Sequence, residues 1–382
     1  MSCAGCGRSS ALATSVRRAA LLFLLLVTAG CVSPWRARPE LDAQGQKETT
    51  ALLQRVRLYD DPALSEFLGT LAGPPGAAIR IVRDPTLALF ATPAGELVVH
   101  TGLLAVADTD GQLAAVLGHE LQHVAHDDAF AAGEPAALGQ RLRPPATSRT
   151  AVAIFGLDLP LTARAAITGY GARRERAADA GALDALAAAG RDPNDALAMY
   201  DALAAQAALG GEREVFYFGN PRRLAERRAS SAELIASRSS QGPRLPSRVE
   251  FERRLRPVYL ENAYEEIRQG RFDLAKAQLE RIASAAPDEP RLHLYYGELY
   301  RLESQRAITS DEREKGRGQA RLAYERALAL DPGLVEAHRQ LGLLYYAMRD
   351  DRARDELLRY LSAAPSAPDR ARIEEYLQEL AQ

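Results

Sequence analysis

The sequence predicts a mostly α, α+β protein in two parts: a helical domain with a small sheet, followed by an α-solenoid of helical hairpins. Three observations predict it. Apolar residues recur at spacings of three and four over most of the chain. Short β-like runs are confined to one stretch before residue 101, and beyond residue 254 the pattern repeats with a period of about 34 residues. A chain of 382 residues has room for two cores. Basic and acidic residues number 48 and 50, so the charge suggests no nucleic-acid surface and no nucleic-acid partner is expected.

Taken in order, residues 1–30 read as an export signal. Arg8, Arg17 and Arg18 precede an apolar run, Ala19 to Val27, that is too short to span a bilayer. Thr28-Ala-Gly-Cys31 resembles a bacterial lipobox, in which the cysteine is lipidated and becomes the mature N-terminus, although Thr28 stands where leucine or valine is usual. The resemblance implies membrane attachment through Cys31. Val32 is not the aspartate of an inner-membrane retention signal, so the expected location is the periplasmic face of the outer membrane. Cys3 and Cys6 fall inside the removed segment, which leaves no internal disulfide and no thiolate metal site. Residues 31–47 are polar and read as a tether.

The first domain is expected over 48–240. A helical pattern from about Glu48 ends at Gly73-Pro-Pro-Gly76; β-like runs follow at Ala78–Val82 and Glu96–His100, then a helix over about 111–128. That helix carries His119, Glu120 and His123 as H-E-x-x-H. A spacing of four puts both imidazoles on one helix face, aimed at a common point. Neutral imidazole nitrogens suit zinc, and a catalytic zinc takes three protein ligands and keeps one position open. One Zn²⁺ per chain is therefore expected, with Glu120 as the general base that takes a proton from the attacking water. The third ligand must be a His, Asp or Glu elsewhere, and Glu175, in the helix expected over 172–190, is the best local candidate. His126 lies a further turn on, away from the point of convergence, and reads as a surface residue. His100 reads as a strand residue rather than a ligand.

H-E-x-x-H followed by Glu175-Arg-Ala-Ala-Asp179 resembles the HtpX-like family of zinc metallopeptidases, relatives of the CAAX prenyl proteases. The stretch from Leu89 to Leu104 resembles the strand and turn that lead into the family's active-site helix. The resemblance implies a zincin-like domain with Glu175 as third zinc ligand and Asp179 orienting a ligand histidine. It also implies that Glu96, Leu97, Val98, Val99 and His100 form an edge strand onto which an extended peptide adds; a small solvent-facing strand without a ligand is the equal alternative. Some relatives have transmembrane helices where Thr150 to Thr168 lies. Asp158, Pro160 and Arg164 interrupt that run here, and a flap over 132–168 is expected instead. Tyr217 to Arg227 resembles a late family segment but has Pro221 where the family has a histidine. In some relatives that histidine is proposed to cap the zinc, so such a switch is either lacking here or built differently. Arg227 keeps a substrate-related or structural role.

Residues 241–253 read as a linker. The repeating stretch, 254–382, resembles tetratricopeptide repeats, with Tyr296-Gly-Glu-Leu-Tyr300 and Leu341-Gly-Leu-Leu-Tyr345 at matching places and an insertion at Glu303 to about Gly318. Such arrays present a groove to protein partners, and one is expected here; an extension that only stabilises the first domain is the alternative. The combination resembles periplasmic peptidases of outer-membrane protein quality control. It implies a zinc endopeptidase acting on unfolded, misfolded or unassembled envelope proteins, with a repeat-based chaperone or adaptor holding a gated or inactive zinc site as the rival reading.

Overall fold

The computed structural model describes residues 39–73, 76–92, 94–126, 128, 171–210, 221–237 and 248–381. The export signal, Cys31, the flap expected over 132–168 and the linker residues 241–247 lie outside them. The chain divides into two compact units, Met1–Gln44 and Gly45–Gln382.

Helix α1, Pro39–Leu53, corrects the tether: residues 39–47 are helical. Proline is favoured in a first helical turn, and the Ala, Gln, Lys and Glu that follow are good helix formers. Helix α2, Pro62–Ala72, starts where Asp61 accepts the Leu64 N–H at 2.9 Å, and buries Leu64, Leu68 and Leu71. It stops at Gly73, whose φ of 108° suits only glycine.

Strands β1 (Ile79–Val82), β2 (Leu89–Ala91) and β3 (Leu97–His100) form a sheet of order β1-β3-β2. β3 pairs parallel with β1 and antiparallel with β2. The segment Glu96–His100 is therefore not the expected edge: Leu97, Val98, Val99 and His100 form the central strand, bonded on both sides and buried along their whole length. Leu58 bridges to Val82 outside β1, and on the other side β2 is the last strand among the described residues, with Leu89, Phe90 and Ala91 all buried. The His100 N–H donates to the Ala88 carbonyl and the Thr92 N–H to the Glu96 carbonyl, so residues 88, 90 and 92 bond inward. Leu89 and Ala91 therefore turn their main-chain groups to the outer edge.

Helix α3, Thr101–Val106, leaves β3 directly, and α4, Asp110–Ala125, follows a short corner. The Thr109 hydroxyl caps α4 by accepting the Gln112 N–H at 3.1 Å. Next come α5 (Ala172–Ala188), α6 (Asn194–Gly210) and α7 (Pro221–Ala236). Helix α8, Arg248–Gln269, begins inside the expected linker, because Phe251 and Leu255 are core residues and Glu250 pairs with Arg253 one turn on at 2.8 Å. Then follow α9 (Phe272–Ala285), α10 (Pro290–Arg306), α11 (Ser310–Leu330), α12 (Val335–Met348), α13 (Ala353–Ala363) and α14 (Arg370–Glu379).

The helices after residue 248 pack as successive hairpins. In one, Asn262 meets Gln278 at 2.7 Å; in the next, Gly297 lies so close to Tyr324 that a Cβ would sit 2.3 Å from its ring. The inserted stretch lengthens both α10 and α11, and Thr309 and Glu312 start α11 with reciprocal caps. One apolar core runs from Leu64 through Leu113 and Leu117 of α4 to Leu255, Val258 and Tyr259 of α8 and on to Ala353. A smaller cluster closes the C-terminal end around Leu357 and Ile373. Among the described residues no helix is long and apolar enough to cross a membrane.

Candidate active site

His119, Glu120 and His123 lie on α4 with exposures of 3, 4 and 2 %. The two Nε2 atoms face each other at 3.0 Å. Behind them, Nδ1 of His119 meets Asp179 Oδ1 at 2.9 Å, and Nδ1 of His123 meets Asp128 Oδ2 at 2.8 Å. Burial alone would raise the Asp179 carboxyl, but the Arg227 charge and the bond from His119 hold it well below the usual carboxylate range. A carboxylate oxygen beside each Nδ1 favours the tautomer with its proton on Nδ1 and a lone pair on Nε2.

The two Nε2 atoms point to a common place, and Arg227 Nη2 also lies 3.2 Å from that of His119. Glu175 brings a third acceptor to the same point, with Oε2 3.4 Å from His119 Nε2 and Oε1 3.7 Å from His123 Nε2. A tetrahedral zinc with bonds of about 2.0–2.1 Å has ligand-to-ligand edges of about 3.3–3.4 Å, which this triangle approaches. Three converging acceptors of nitrogen and oxygen type fit a divalent cation of that kind.

Small residues bring the two helices together. Gly118 of α4 lies against Ala182 of α5, and a Cβ on Gly181 would sit 2.6 Å from Cδ of Gln122. At that approach the first turn of α5 delivers Glu175 and the next turn Asp179. Burial would raise the Glu175 carboxyl, and the Arg227 charge beside it works in the opposite direction.

Arg227 of α7 joins the carboxylates: Nη1 is 3.3 Å from Glu175 Oε2, Nε is 3.2 Å from Asp179 Oδ2, and Nη2 bonds Asp179 Oδ1 and lies 2.9 Å from His119 Nδ1. Burial would lower its pKa, and Tyr200, Asp179 and Glu175 instead keep it raised. The Tyr200 hydroxyl, from α6, donates to Asp179 Oδ1 at 3.0 Å. The sequence did not point to Asp128 or Tyr200. The rule that a ligand histidine hands its second N–H to a carboxylate was a signal for Asp128, five residues after His123; nothing local marks Tyr200.

The remaining sequence candidates lie elsewhere. His100 is fully buried at the end of β3, hydrogen-bonded to Thr86 at 2.7 Å, and Glu96 pairs with Arg80 at 2.9 Å. His126 is exposed at the end of α4, its ring on the Gln122 carbonyl. Pro221 opens α7, where a proline suits a first turn. All six histidines of the chain are thereby placed or lie in the C-terminal half, as His293 and His338 do, so His119 and His123 are the two at this site.

No match is found among curated proteins. Residues 69–251 match Peptidase family M48, a stretch that takes in His119, Glu120, His123, Glu175, Asp179 and Arg227. The match and the buried His119, Glu120 and His123 group together indicate a metal-dependent peptidase domain, a kind that typically uses zinc.

Proposed function

We propose that the chain is an exported, lipid-anchored zinc endopeptidase that hydrolyses unfolded or unassembled proteins of the cell envelope. Its metal ligands are His119, His123 and Glu175. The observation that carries this reading is the convergence of three acceptors beside a buried carboxylate, Glu120. Bound there, zinc supplies Lewis acidity to a water molecule and to the substrate carbonyl.

The protein's own groups do the rest. Glu120, 3.9 Å from the His119 Nε2 that faces the metal position, takes a proton from water as its oxygen bonds to the peptide carbon. The same carboxyl returns that proton to the amine as the C–N bond breaks. Asp179 and Asp128 fix the histidine tautomers, and Arg227 keeps Asp179 and Glu175 ionised and in place. A preference for unfolded chains is expected because the buried His119, Glu120 and His123 admit only an extended segment. The helical hairpins after residue 248 are read as tetratricopeptide repeats that hold a protein partner, and lipidated Cys31 as the anchor to the outer membrane's periplasmic face.

Cleavage of an unfolded model protein by the mature chain, set beside Glu120→Gln with zinc measured in both, tests the proposal. Zinc in both and cleavage only by the wild type is the expected result. Zinc in both without cleavage by either moves the function to a chaperone or adaptor; absence of zinc removes the ligand assignment.

A further inference from the structure

The first hairpin of the C-terminal half grips the corner from which the metal-binding helix starts. Arg281 of α9 donates from Nη1 to the Ala105 carbonyl at 2.8 Å and from Nη2 to the Ala107 carbonyl at 2.9 Å. Nη2 also pairs with Asp108 at 3.0 Å, and the guanidinium lies 4.5 Å over the Tyr259 ring. The Tyr259 hydroxyl of α8 donates to the same Ala107 carbonyl at 3.0 Å.

These carbonyls close α3, where the last turn of a helix has no partners of its own and a cation is favourable. Ala105 and Ala107 are buried, so water does not replace the bonds. One residue on, the Asp108 N–H donates to Gln112 Oε1 at 2.6 Å, and Thr109 caps α4. The other side of the same end is held by the Thr109 hydroxyl on Asp195 at 3.1 Å and by Arg191 on Asp110 at 3.4 Å. From Thr109 to His119 is about 15 Å of helix at 1.5 Å per residue, so a tilt at the corner moves the ligands relative to the sheet.

We propose that Arg281, supported by Tyr259, is a positioning residue of the active site: by holding the corner between α3 and α4 it places His119, Glu120 and His123 relative to Glu175 and the sheet. This deepens the peptidase reading and rests on it. A tilt of α4 displaces the attacking groups themselves, so the loss is expected in kcat more than in KM. A misplacement of about 1 Å can cost about a hundredfold in rate.

The test uses the full chain with Arg281→Ala, Arg281→Lys and Tyr259→Phe, and Arg326→Ala as control, which removes an exposed pair with Asp288. Three quantities are read: kcat and KM on an unfolded protein, hydrogen exchange of amides 109–118 against those of 335–348, and the melting temperature. Arg281→Ala is expected to lower kcat about tenfold with KM within about twofold, and to speed exchange over 109–118 while leaving 335–348 unchanged. Arg281→Lys restores part of the rate, and Tyr259→Phe shows a smaller loss of the same kind. Wild-type kcat and exchange in Arg281→Ala overturn the proposal, as does a lowered melting temperature with kcat unchanged, which marks a structural anchor. If Arg281→Ala does not fold, Arg281→Lys and Tyr259→Phe decide by the same criteria. If the wild type does not cleave, the peptidase reading fails, and unchanged exchange over 109–118 then overturns the positioning role independently.

Discussion

At the scale of residues, the candidate site is a set of acceptors made ready for a cation by the groups behind them. Asp128 is the clearest case, because it touches His123 alone among the histidines and fixes which ring nitrogen is bare. Replacing Asp128 with Ala is predicted to weaken zinc binding about 10- to 100-fold while leaving the fold intact, as read by competition with a chelator. The spacing of His119 and His123 made their convergence legible in the sequence, since helix periodicity alone puts positions four apart on one face. Glu175 and Asp179 were legible only through the motif that follows H-E-x-x-H. Tyr200 and the grip of Arg227 on Asp179 were not, because they depend on how α6 and α7 pack against α5, and packing leaves no local pattern.

At the scale of elements, the start of α3 shows how tightly the sheet and the helices are joined. The Gly102 N–H and the Thr101 hydroxyl both donate to the Asp84 carbonyl at 3.0 Å, and a Cβ on Gly102 would sit 2.2 Å from the Pro85 carbonyl oxygen. Gly102→Ala must push backbone against backbone, and a loss of about 1–3 kcal/mol is predicted from denaturant unfolding. The Asp84 side chain gives the same loop a pH dependence. Burial would raise its pKa, but His100 and Thr86 bring it down from 3.8 to about 2. A depressed folded-state value means stability present above pH 4 and lost as the pH falls towards 2. In the metal-free chain, Asp84→Asn is predicted to cost about 2 kcal/mol at pH 6, with the gap to wild type closing near pH 2 in urea titrations. The sheet also shows where sequence reading stops. An apolar run such as Leu97 to His100 suits an edge or a centre equally, and the three residues of β2 that complete the sheet are too short to show alternation.

At the scale of the whole molecule, one core serves both the half that carries the candidate site and the hairpins. The composition of 241–247 reads as a break, yet Arg57 pairs with Glu265 and Arg83 with Glu261, each at 2.6 Å, and Tyr259 reaches into the corner before α4. Such pairs are far apart in sequence and have no local signature. Calorimetry of the chain is predicted to show a single transition over these elements, and residues 45–247 expressed alone to show no cooperative one, because Leu255, Val258 and Tyr259 are missing from the shared core. The central claim is that a metal joins α4 to α5 through three side chains. Anomalous diffraction at the zinc edge from crystals of the protein tests it most directly. One peak is predicted, about 2.0–2.2 Å from His119 Nε2, His123 Nε2 and a Glu175 oxygen; a peak elsewhere, or one at this site that Glu175 does not touch, would contradict the account.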